Sequence, residues 1–346
     1  MKNLLQSIKN TISYINHNND NSIHIGYGID NNYARCAGTS ISSFCINNPT
    51  KSFVFHIITS GLAPNNLEKY SILSKKYSIN IFIYEIDISY FQSLPTSNYF
   101  PISIYFRLIL PLIINSTQNI IYVDADIICL KDISPLLNQI SSKSNMISAT
   151  PDVNYMQKNR CIALNLKNHI YFNSGFLIIN TFLWKSHSIF QKSLSILEKN
   201  PTKFSHPDQD VLNILLTQKT YYLPQIYNCI DLTTINHKDI VLLHFAANPK
   251  PWNICWSLSP NCNEFNKNLY QYYEKQTPWS GLPPTLPRNY KEMEFYAKCL
   301  RKHKYYIKSF HWYLKYLLAK IKYLIKKILK RNVPKKLFLG TFSFIL

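Results

Sequence analysis

Short apolar runs alternate with polar, helix-forming segments along the first part of the chain. The runs at 23–29, 53–58 and 80–86 are rich in isoleucine, valine and phenylalanine, which favours buried β-strands. A turn at 30–33 follows the first run, and the segment 65–76 predicts a helix before the third. Alternating strands and helices predict an α/β fold with a mostly parallel sheet, in which ligands lie at the carboxyl ends of the strands.

One apolar run ends in two carboxylates separated by a single small residue. Residues 120–123 predict a strand, and Asp124, Ala125 and Asp126 follow it directly. In an extended segment side chains repeat with a period of two, so Asp124 and Asp126 would project to one side and meet one hard cation. A cation with so few protein ligands keeps positions for a diphosphate. The simpler alternative is an ordinary turn at a strand end.

Later segments place further polar residues at the ends of predicted elements. An apolar strand is predicted at 176–180, and a helix at 211–216 follows Asp208 and Asp210, either of which could cap it. His244 follows another short apolar run. A histidine there is commonly a structural polar residue, yet it would complete a metal-binding set with the two aspartates.

Composition predicts one large domain with appendages. The chain has 346 residues, of which 46% are hydrophobic and 14% aromatic, so it can bury a sizeable core. We expect a polar N-terminal segment at 1–22, with a loosely ordered helix and linker, a large domain at 23–280, and a tail at 281–346. There is no Gly-x-Gly-x-x-Gly and no Walker loop, which argues against a dinucleotide-binding fold or a kinase-like NTPase.

Cysteine usage and hydropathy predict the compartment. The eight cysteines are scattered without a Cys-x-x-Cys pair, which is typical of reduced thiols in the cytoplasm rather than of disulfides or zinc ribbons. The N-terminus has no apolar core of a signal peptide, and no run reaches about eighteen apolar residues. We therefore expect a chain that is neither secreted through a signal peptide nor membrane-spanning.

The tail carries most of the positive charge. Fourteen lysines and arginines and no acidic residue lie between Phe295 and Leu346, against a formal net charge of +20 for the chain. Leucines and isoleucines from Leu314 to Ile328 follow helical spacing with lysines opposite, which predicts a basic amphipathic helix suited to an anionic bilayer surface. The alternatives are a helix packed on its own domain and a nucleic-acid-binding helix. We expect no nucleic-acid partner, since phosphate contact needs no wide aliphatic face.

Six sequence blocks, taken in order, are similar to a known family. The blocks are Gly28-Ile29-Asp30-Asn31-Asn32-Tyr33, Tyr105-Phe106-Arg107-Leu108, Tyr122-Val123-Asp124-Ala125-Asp126, Tyr171-Phe172-Asn173-Ser174-Gly175, Pro207-Asp208-Gln209-Asp210, and His244 with Lys250-Pro251-Trp252. Over roughly residues 23 to 252 the chain resembles family 8 of the glycosyltransferases, and within it the bacterial lipopolysaccharide core glucosyl- and galactosyltransferases.

The resemblance implies a GT-A type nucleotide-sugar-binding fold and retaining transfer of glucose or galactose from a UDP-sugar to the lipopolysaccharide core. It implies that Asp124, Asp126 and His244 bind Mn²⁺ or Mg²⁺. The implied donor-binding residues are Gly28, Ile29, Asp30, Asn31, Asn32, Tyr33, Arg107, Asp124, Ala125, Ala247, Asn248 and Lys250. The implied catalytic and sugar-pocket residues are Asp124, Asp152, Asn173, Asp208 and Gln209.

The route to retention and the partners are further expectations. Gln209 or Asp208 could lie beneath the anomeric carbon, or the acceptor could attack from the face of the leaving group. The loop at 246–249 lacks the glycine that the family often has there. The expected partners are a UDP-hexose, the lipopolysaccharide core and, through the tail, the anionic cytoplasmic surface of the inner membrane. A different glycan acceptor, or a catalytically weak protein that binds nucleic acid or membrane, is the alternative.

Overall fold

The computed structural model describes residues 7–18, 21–97, 100–114, 116–141, 145–233, 235–259 and 262–332. It divides into two compact units. One comprises the described residues of Met1–Asn248 and Asn268–Leu282, and the other those of Pro249–Lys267 and Pro283–Leu346. The division into an N-terminal segment, a large domain and a tail that the sequence suggests stays a prediction.

The first unit is built on a mixed sheet. Its strands are β1 (Ile8–Tyr14), β2 (Ile23–Ile29), β3 (Phe53–Thr59), β4 (Asn80–Ile86), β5 (Asn119–Val123), β6 (Ile127–Cys129), β7 (Ile147–Pro151), β8 (Phe172–Asn180), β9 (Thr220–Tyr222) and β10 (Leu242–His244). Eight of these described strands form one sheet in the order β1-β4-β3-β2-β5-β8-β7-β9, and β10 pairs with β6. Because β2, β3, β4 and β5 are joined by parallel pairings, the predicted mostly parallel mixed sheet is confirmed.

Helices alternate with the early strands, as predicted. The helices are α1 (Ala34–Asn47), α2 (Pro64–Tyr77), α3 (Phe106–Ile113), α4 (Ser134–Ser141), α5 (Asn154–Leu164), α6 (Thr181–Ser186), α7 (Ile189–Lys199), α8 (Pro207–Leu216), α9 (Glu264–Glu274), α10 (Tyr290–Lys302) and α11 (Tyr306–Asn332). The central strand β3 is buried over its whole length, as is typical of a parallel sheet covered by helices. A large apolar cluster around Trp184 and Phe91 fills the core.

The N-terminal segment differs from its prediction. Instead of a loosely ordered helix, Ile8–Tyr14 forms β1, which pairs antiparallel with β4 at the edge of the sheet. Isoleucine, threonine and tyrosine favour strands, and Ile12 and Tyr14 alternate with more exposed neighbours. The open edge of β4 supplies backbone partners that the polar composition of the segment does not reveal.

The sheet brings two sequence-distant loops to one edge. Strands β2 and β5 are parallel neighbours, with Ile25 opposite Ile121, so Asp30 and Asp124 follow strands that end at the same edge. The pair formed by β6 and β10 sets His244 opposite Ile127, beside the aspartate turn. Candidate ligands from three parts of the chain therefore converge.

The second unit contains α10 and α11, which pack together through aromatic side chains. The rings of Tyr296 and Trp312 lie 5.2 Å apart, those of Tyr290 and Tyr323 lie 5.0 Å apart, and the Ser309 hydroxyl donates to the Ala297 carbonyl. The packed face of α11 is therefore aromatic. It lies opposite the predicted aliphatic stripe and is bordered by lysines, since Lys315 Nζ lies 4.5 Å from the centroid of the Trp312 ring and Lys320 Nζ donates to the Tyr316 hydroxyl at 2.8 Å.

The aliphatic stripe of α11 is exposed. Leu317, Leu318 and Ile321 have relative exposures of 49%, 62% and 53%. At 3.6 residues per turn, Lys315 and Lys320 fall on the two flanks of this stripe rather than directly opposite it. Within the described part of the chain, no helix has both the length and the apolar character needed to cross a membrane. The tail beyond residue 332 and the side chains from 326 onward lie outside the described residues.

Two buried histidines lie side by side in the sheet. His24 Nδ1 is 2.9 Å from His56 Nε2, and His56 Nδ1 is 3.1 Å from the Tyr84 hydroxyl. Burial lowers the pKa of His24, and burial together with His24 lowers the pKa of His56 to about 3. Both imidazoles are therefore neutral in the folded protein near neutral pH.

This pair predicts a pH-dependent loss of stability. An unfolded histidine takes up a proton near pH 6.5, while folded His56 does so only near pH 3, so the free energy of unfolding falls as pH is lowered through that window. We expect His56→Gln, which keeps hydrogen-bonding groups, to flatten this slope by up to about 1.4 kcal/mol per pH unit. Urea titrations of the unchanged protein and of the variant, at a series of pH values from neutral downward, measure this slope. Equal slopes in the two proteins would contradict the low pKa of His56.

Candidate active site

The two aspartates of the predicted metal site lie in a turn, not in an extended segment. Strand β5 ends at Val123, and the Ile127 N–H donates to the Asp124 carbonyl at 3.0 Å, which closes a β-turn. The expectation of an extended geometry is thus wrong. The turn nevertheless brings one ligand atom each of Asp124, Asp126 and His244 within 4.8 Å of one another, and no other such group occurs among the described residues.

The space between these ligand atoms depends on Gly175 in β8. A Cβ at this position would lie 2.5 Å from His244 Cε1 and 2.9 Å from Asp124 Oδ2. Carboxylate oxygens suit hard divalent cations such as Mg²⁺ and Mn²⁺, and imidazole is a common ligand of transition metals. The donor chemistry and the cradle that a Cβ would fill therefore fit the implied Mn²⁺ or Mg²⁺.

A buried arginine joins the metal-site side to the predicted sugar side. Arg107 in α3 donates from Nη2 to Asp124 Oδ1 at 2.9 Å, and its Nε lies 3.1 Å from Asp208 Oδ2. Its Nη1 donates to the Ser174 carbonyl and hydroxyl. The guanidinium carbon also lies 4.7 Å from the centroid of the Tyr122 ring. Asp124 Oδ1 is thus bound by Arg107, while Asp124 Oδ2 faces Gly175.

Electrostatics keep this arginine charged. Burial alone would lower the pKa of Arg107, but Asp124 and Asp208 outweigh it, so its pKa is raised. Burial raises the pKa of Asp208, and Arg107 opposes that effect. We take the charged Arg107 to hold Asp208 as a carboxylate, because the two groups are in direct contact.

The predicted sugar-pocket residues form one hydrogen-bonded cluster. Asp152 Oδ2 accepts from Asn173 Nδ2 at 3.2 Å and from Gln209 Nε2 at 2.8 Å. Gln209 Oε1 accepts from the Ser174 N–H at 2.9 Å, while the Ser174 hydroxyl donates to Asp208. The structure therefore brings these residues together beside the metal-site cluster.

Neither aspartate of the Pro207–Leu216 helix caps it. The N-cap residue is His206, whose side chain makes no capping bond. Asp210 is fully buried and pairs with Arg160 of α5 at 2.6 Å, and it accepts hydrogen bonds from the Tyr171 hydroxyl and the His206 N–H. Asp210 therefore fixes the start of α8, which carries Asp208 and Gln209, against α5.

The predicted nucleotide-binding segment follows β2. Asp30 accepts from the N–H groups of Asn32 and Tyr33 and so begins a short 3₁₀ turn. Asn31 accepts from the N–H of Ala63 and from Asn66 at the start of α2. Two of the other predicted residues have packing roles, since Ile29 is buried in the core and a Cβ on Gly28 would lie 2.8 Å from Phe106.

The last predicted donor-binding residues follow β10. Ala247 and Asn248 lie exposed in the loop after His244. Lys250 belongs to the second unit, where it is buried and its N–H donates to Asn253 Oδ1 at 2.7 Å. The role of Lys250 at a phosphate stays a prediction. Ala125 is buried in the aspartate turn.

Two residues of this region were not predicted as site residues. Tyr122 donates from its hydroxyl to Asp124 Oδ1 at 2.8 Å, and it lies two positions before that aspartate, so strand periodicity was a usable signal. Asn228 Oδ1 lies 2.9 Å from His244 Nδ1. No local pattern marks Asn228, which follows a short 3₁₀ turn far from the motif blocks in sequence.

Comparison with known proteins agrees with the resemblance seen in the sequence. The sequence model of glycosyl transferase family 8 matches residues 24–255, and that of the glycosyl transferase family 8 C-terminal region matches 266–320. The chain is 29% identical over 329 residues to lipopolysaccharide 1,3-galactosyltransferase of Salmonella typhimurium, covering 89% of this chain and 94% of that protein. It is 30% identical over 317 residues to the lipopolysaccharide glucosyltransferase WaaO of Escherichia coli K12, covering 87% and 92%.

A solved structure shares the fold. The crystal structure of galactosyltransferase LgtC in complex with donor and acceptor sugar analogues superposes with a TM-score of 0.63 at 20% identity, covering 77% of this chain and 98% of that chain. This likeness confirms the GT-A type fold, and the family match spans most of the chain. The protein therefore belongs to glycosyl transferase family 8 and is a glycosyltransferase.

Proposed function

We propose that this enzyme transfers glucose or galactose from a UDP-sugar to the lipopolysaccharide core, with retention of configuration and with Mn²⁺ or Mg²⁺. The observation that carries the proposal is the contact between two groups of residues, in which Arg107 joins the metal-site aspartate to the sugar-pocket aspartate. The names of the relatives at about 30% identity support the acceptor class.

The side chains around Asp124 form a preorganised binding site for the diphosphate end of the donor. When bound, the divalent cation stabilises the negative charge that develops on the leaving UDP. Asp124 is held by Arg107 and Tyr122, so its free oxygen keeps one direction. Fixed groups of this kind need little reorganisation when charge develops, which is the main advantage of a buried polar site.

The sugar-pocket contacts favour positioning roles for Asp208 and Gln209. Gln209 already accepts from the Ser174 N–H and donates to Asp152, and Asp208 already contacts Arg107. Both side chains are thereby oriented toward fixed partners rather than poised for attack. Among the retaining routes, we therefore favour attack by the acceptor from the face of the leaving group.

A cleft in the first unit offers a place for the acceptor. Its volume is about 340 Å³, and its lining includes Asn154, Tyr155, Gln225, Asn228 and Asp231. Tyr155 is 75% exposed, so its ring is available to pack on a sugar face. A few polar groups around an apolar surface suit a glycan. Because Asn228 contacts His244, this cleft adjoins the metal-site cluster.

The exposed stripe of α11 supports binding to the cytoplasmic surface of the inner membrane. No acidic residue lies between 306 and 332, and Lys315 and Lys320 flank the aliphatic stripe, as in helices that lie in an anionic interface. The aromatic face already packs on α10, so the stripe is left for another partner.

A different glycan acceptor is the second candidate function, and a donor and acceptor screen separates the two.

Replacement of the metal-site aspartates tests the proposed chemistry. We expect Asp126→Asn and Asp124→Asn to lower transfer by about a hundredfold to a thousandfold, because metal ions supply several kcal/mol of transition-state stabilisation. His244→Ala should weaken Mn²⁺ binding less, since two carboxylates stay. Release of UDP with and without EDTA measures the effect, with thermal unfolding as the control for folding. Undiminished activity in EDTA would overturn the metal assignment.

The sugar-pocket residues should affect rate more than nucleotide binding. We expect Gln209→Ala and Asp208→Asn to lower kcat by roughly a hundredfold while changing the Kd for UDP with Mn²⁺ less than about threefold. Asp208→Asn keeps an oxygen that can accept from Arg107, and the guanidinium still pairs with Asp124, so no buried charge is left unpaired. Calorimetric titration alongside turnover separates the two quantities. If UDP binding and rate fell equally, Gln209 and Asp208 would not belong to the sugar pocket.

The tail should require its apolar stripe to bind membranes. We expect Leu317→Asp with Ile321→Asp to reduce binding to vesicles rich in anionic lipid by roughly tenfold or more, although the lysines stay. A matched control, Ile162→Asp with Phe182→Asp, changes the charge equally at two exposed apolar residues outside the tail. Vesicle co-sedimentation measures binding. If both double variants bind as the unchanged protein does, membrane association through the tail is wrong.

A further inference from the structure

A chain of buried side-chain amides joins the metal-site histidine to the sugar pocket. His244 contacts Asn228, whose Nδ2 donates to Asn173 Oδ1 at 2.9 Å, and Asn173 in turn donates to Asp152. Asp152 also accepts from Gln209. Asn228 and His244 have relative exposures of only 2% and 5%, so water does not substitute for these bonds.

The direction of every bond in this chain follows from one backbone group. The Gly175 N–H donates to Asn173 Oδ1 at 2.9 Å, which identifies that atom as the oxygen of the amide. The other end of the Asn173 amide must then donate, as it does, to the Asp152 carboxylate. Since Asn173 presents an oxygen, Asn228 must donate to it through Nδ2.

The same logic fixes the tautomer of the histidine. Asn228 turns its Oδ1 toward His244 Nδ1 at 2.9 Å, and an amide oxygen only accepts hydrogen bonds. His244 must therefore carry its proton on Nδ1. The lone pair of the neutral ring is then on Nε2, which lies 3.2 Å from Asp126 Oδ1 and is directed into the metal-site cluster.

We propose that Asn228 is a positioning residue that acts through His244, holding Nδ1 as the donor nitrogen so that Nε2 is presented to the divalent cation. The proposal rests on the proposed function, because it takes a cation at this cluster. Partners of this kind orient a ligating histidine and raise its basicity, and their loss lowers metal affinity by about 10- to 100-fold. Asn228 also makes the orientation of His244 depend on the sugar-pocket residue Asn173.

The backbone holds Asn228 in place without help from its side chain. The Asn228 N–H donates to the Gln225 carbonyl, and the next residue, Cys229, donates to Leu242 at 2.9 Å. The His244 N–H donates back to the Cys229 carbonyl at 2.8 Å. A side-chain substitution at 228 should therefore leave the backbone intact and remove the partners of the imidazole and of Asn173 Oδ1.

The experiment measures metal binding, because Asn228 also lines the proposed acceptor cleft and its variants would change acceptor use as well. Mn²⁺ is titrated into the full-length protein and followed by electron paramagnetic resonance, with and without UDP and with no acceptor. We expect Asn228→Leu to raise the Kd for Mn²⁺ about tenfold or more. We also expect it to remove the ¹⁴N modulation that a bound imidazole gives to the electron spin echo of Mn²⁺. His244→Gln should remove the same modulation.

Two further variants separate positioning from packing. Asn228→Asp keeps an oxygen that accepts from His244 Nδ1, so the ¹⁴N modulation should persist. Gln225→Leu makes the same kind of change in the wall of the same cleft, three residues before Asn228, and should leave the Kd for Mn²⁺ unchanged.

The outcomes distinguish this inference from the function on which it rests. If the unchanged protein binds no Mn²⁺, or binds it equally well after Asp126→Asn, the proposed metal site is wrong. If that site is intact but Asn228→Leu keeps the affinity and the ¹⁴N modulation, the role of Asn228 is wrong. Equal weakening by Gln225→Leu would also overturn it, since the effect would then come from the cleft wall.

Discussion

The site depends on a single guanidinium buried between two carboxylates. Arg107 neutralises Asp208 in surroundings with almost no water, and it holds Asp124 at the more open side. Breaking a buried pair by removing one partner costs about 3–5 kcal/mol, because the remaining charge is left without compensation. Arg107 therefore ties the metal-site turn to the start of α8, which the pair of Asp210 with Arg160 also fixes, and Ser174 and Tyr122 surround the guanidinium.

Much of the sheet could be predicted from the sequence because its central strands are nearly continuous apolar runs. The bounds predicted for β2 and β4 are those observed, and β3 differs by one residue. The residues of the metal-site cluster were predicted correctly although their backbone geometry was not. The observed turn brings Asp124 and Asp126 together as a strand would, so their spacing in the sequence does not distinguish the two geometries.

The parts that could not be predicted depend on contacts between distant segments. β1 exists because β4 offers an unpaired edge, and the aromatic face of α11 is defined by α10 rather than by its own periodicity. Asn228 is a stronger case. Its role follows from a backbone N–H at Gly175 and an imidazole at His244, and neither relation leaves a local pattern in the sequence. Side-chain networks of this kind are specified only by the assembled fold.

The pairing of β1 with β4 also sets an order of events during synthesis. Strand β1 is synthesised before β4 (Asn80–Ile86), its only sheet neighbour among the described strands. At roughly 5–20 residues per second, Ile8–Tyr14 must wait several seconds before its partner is made. Its polar and β-branched composition keeps the waiting segment soluble without committing it to a helix. Strand β1 can therefore join the sheet only after β4 has been synthesised.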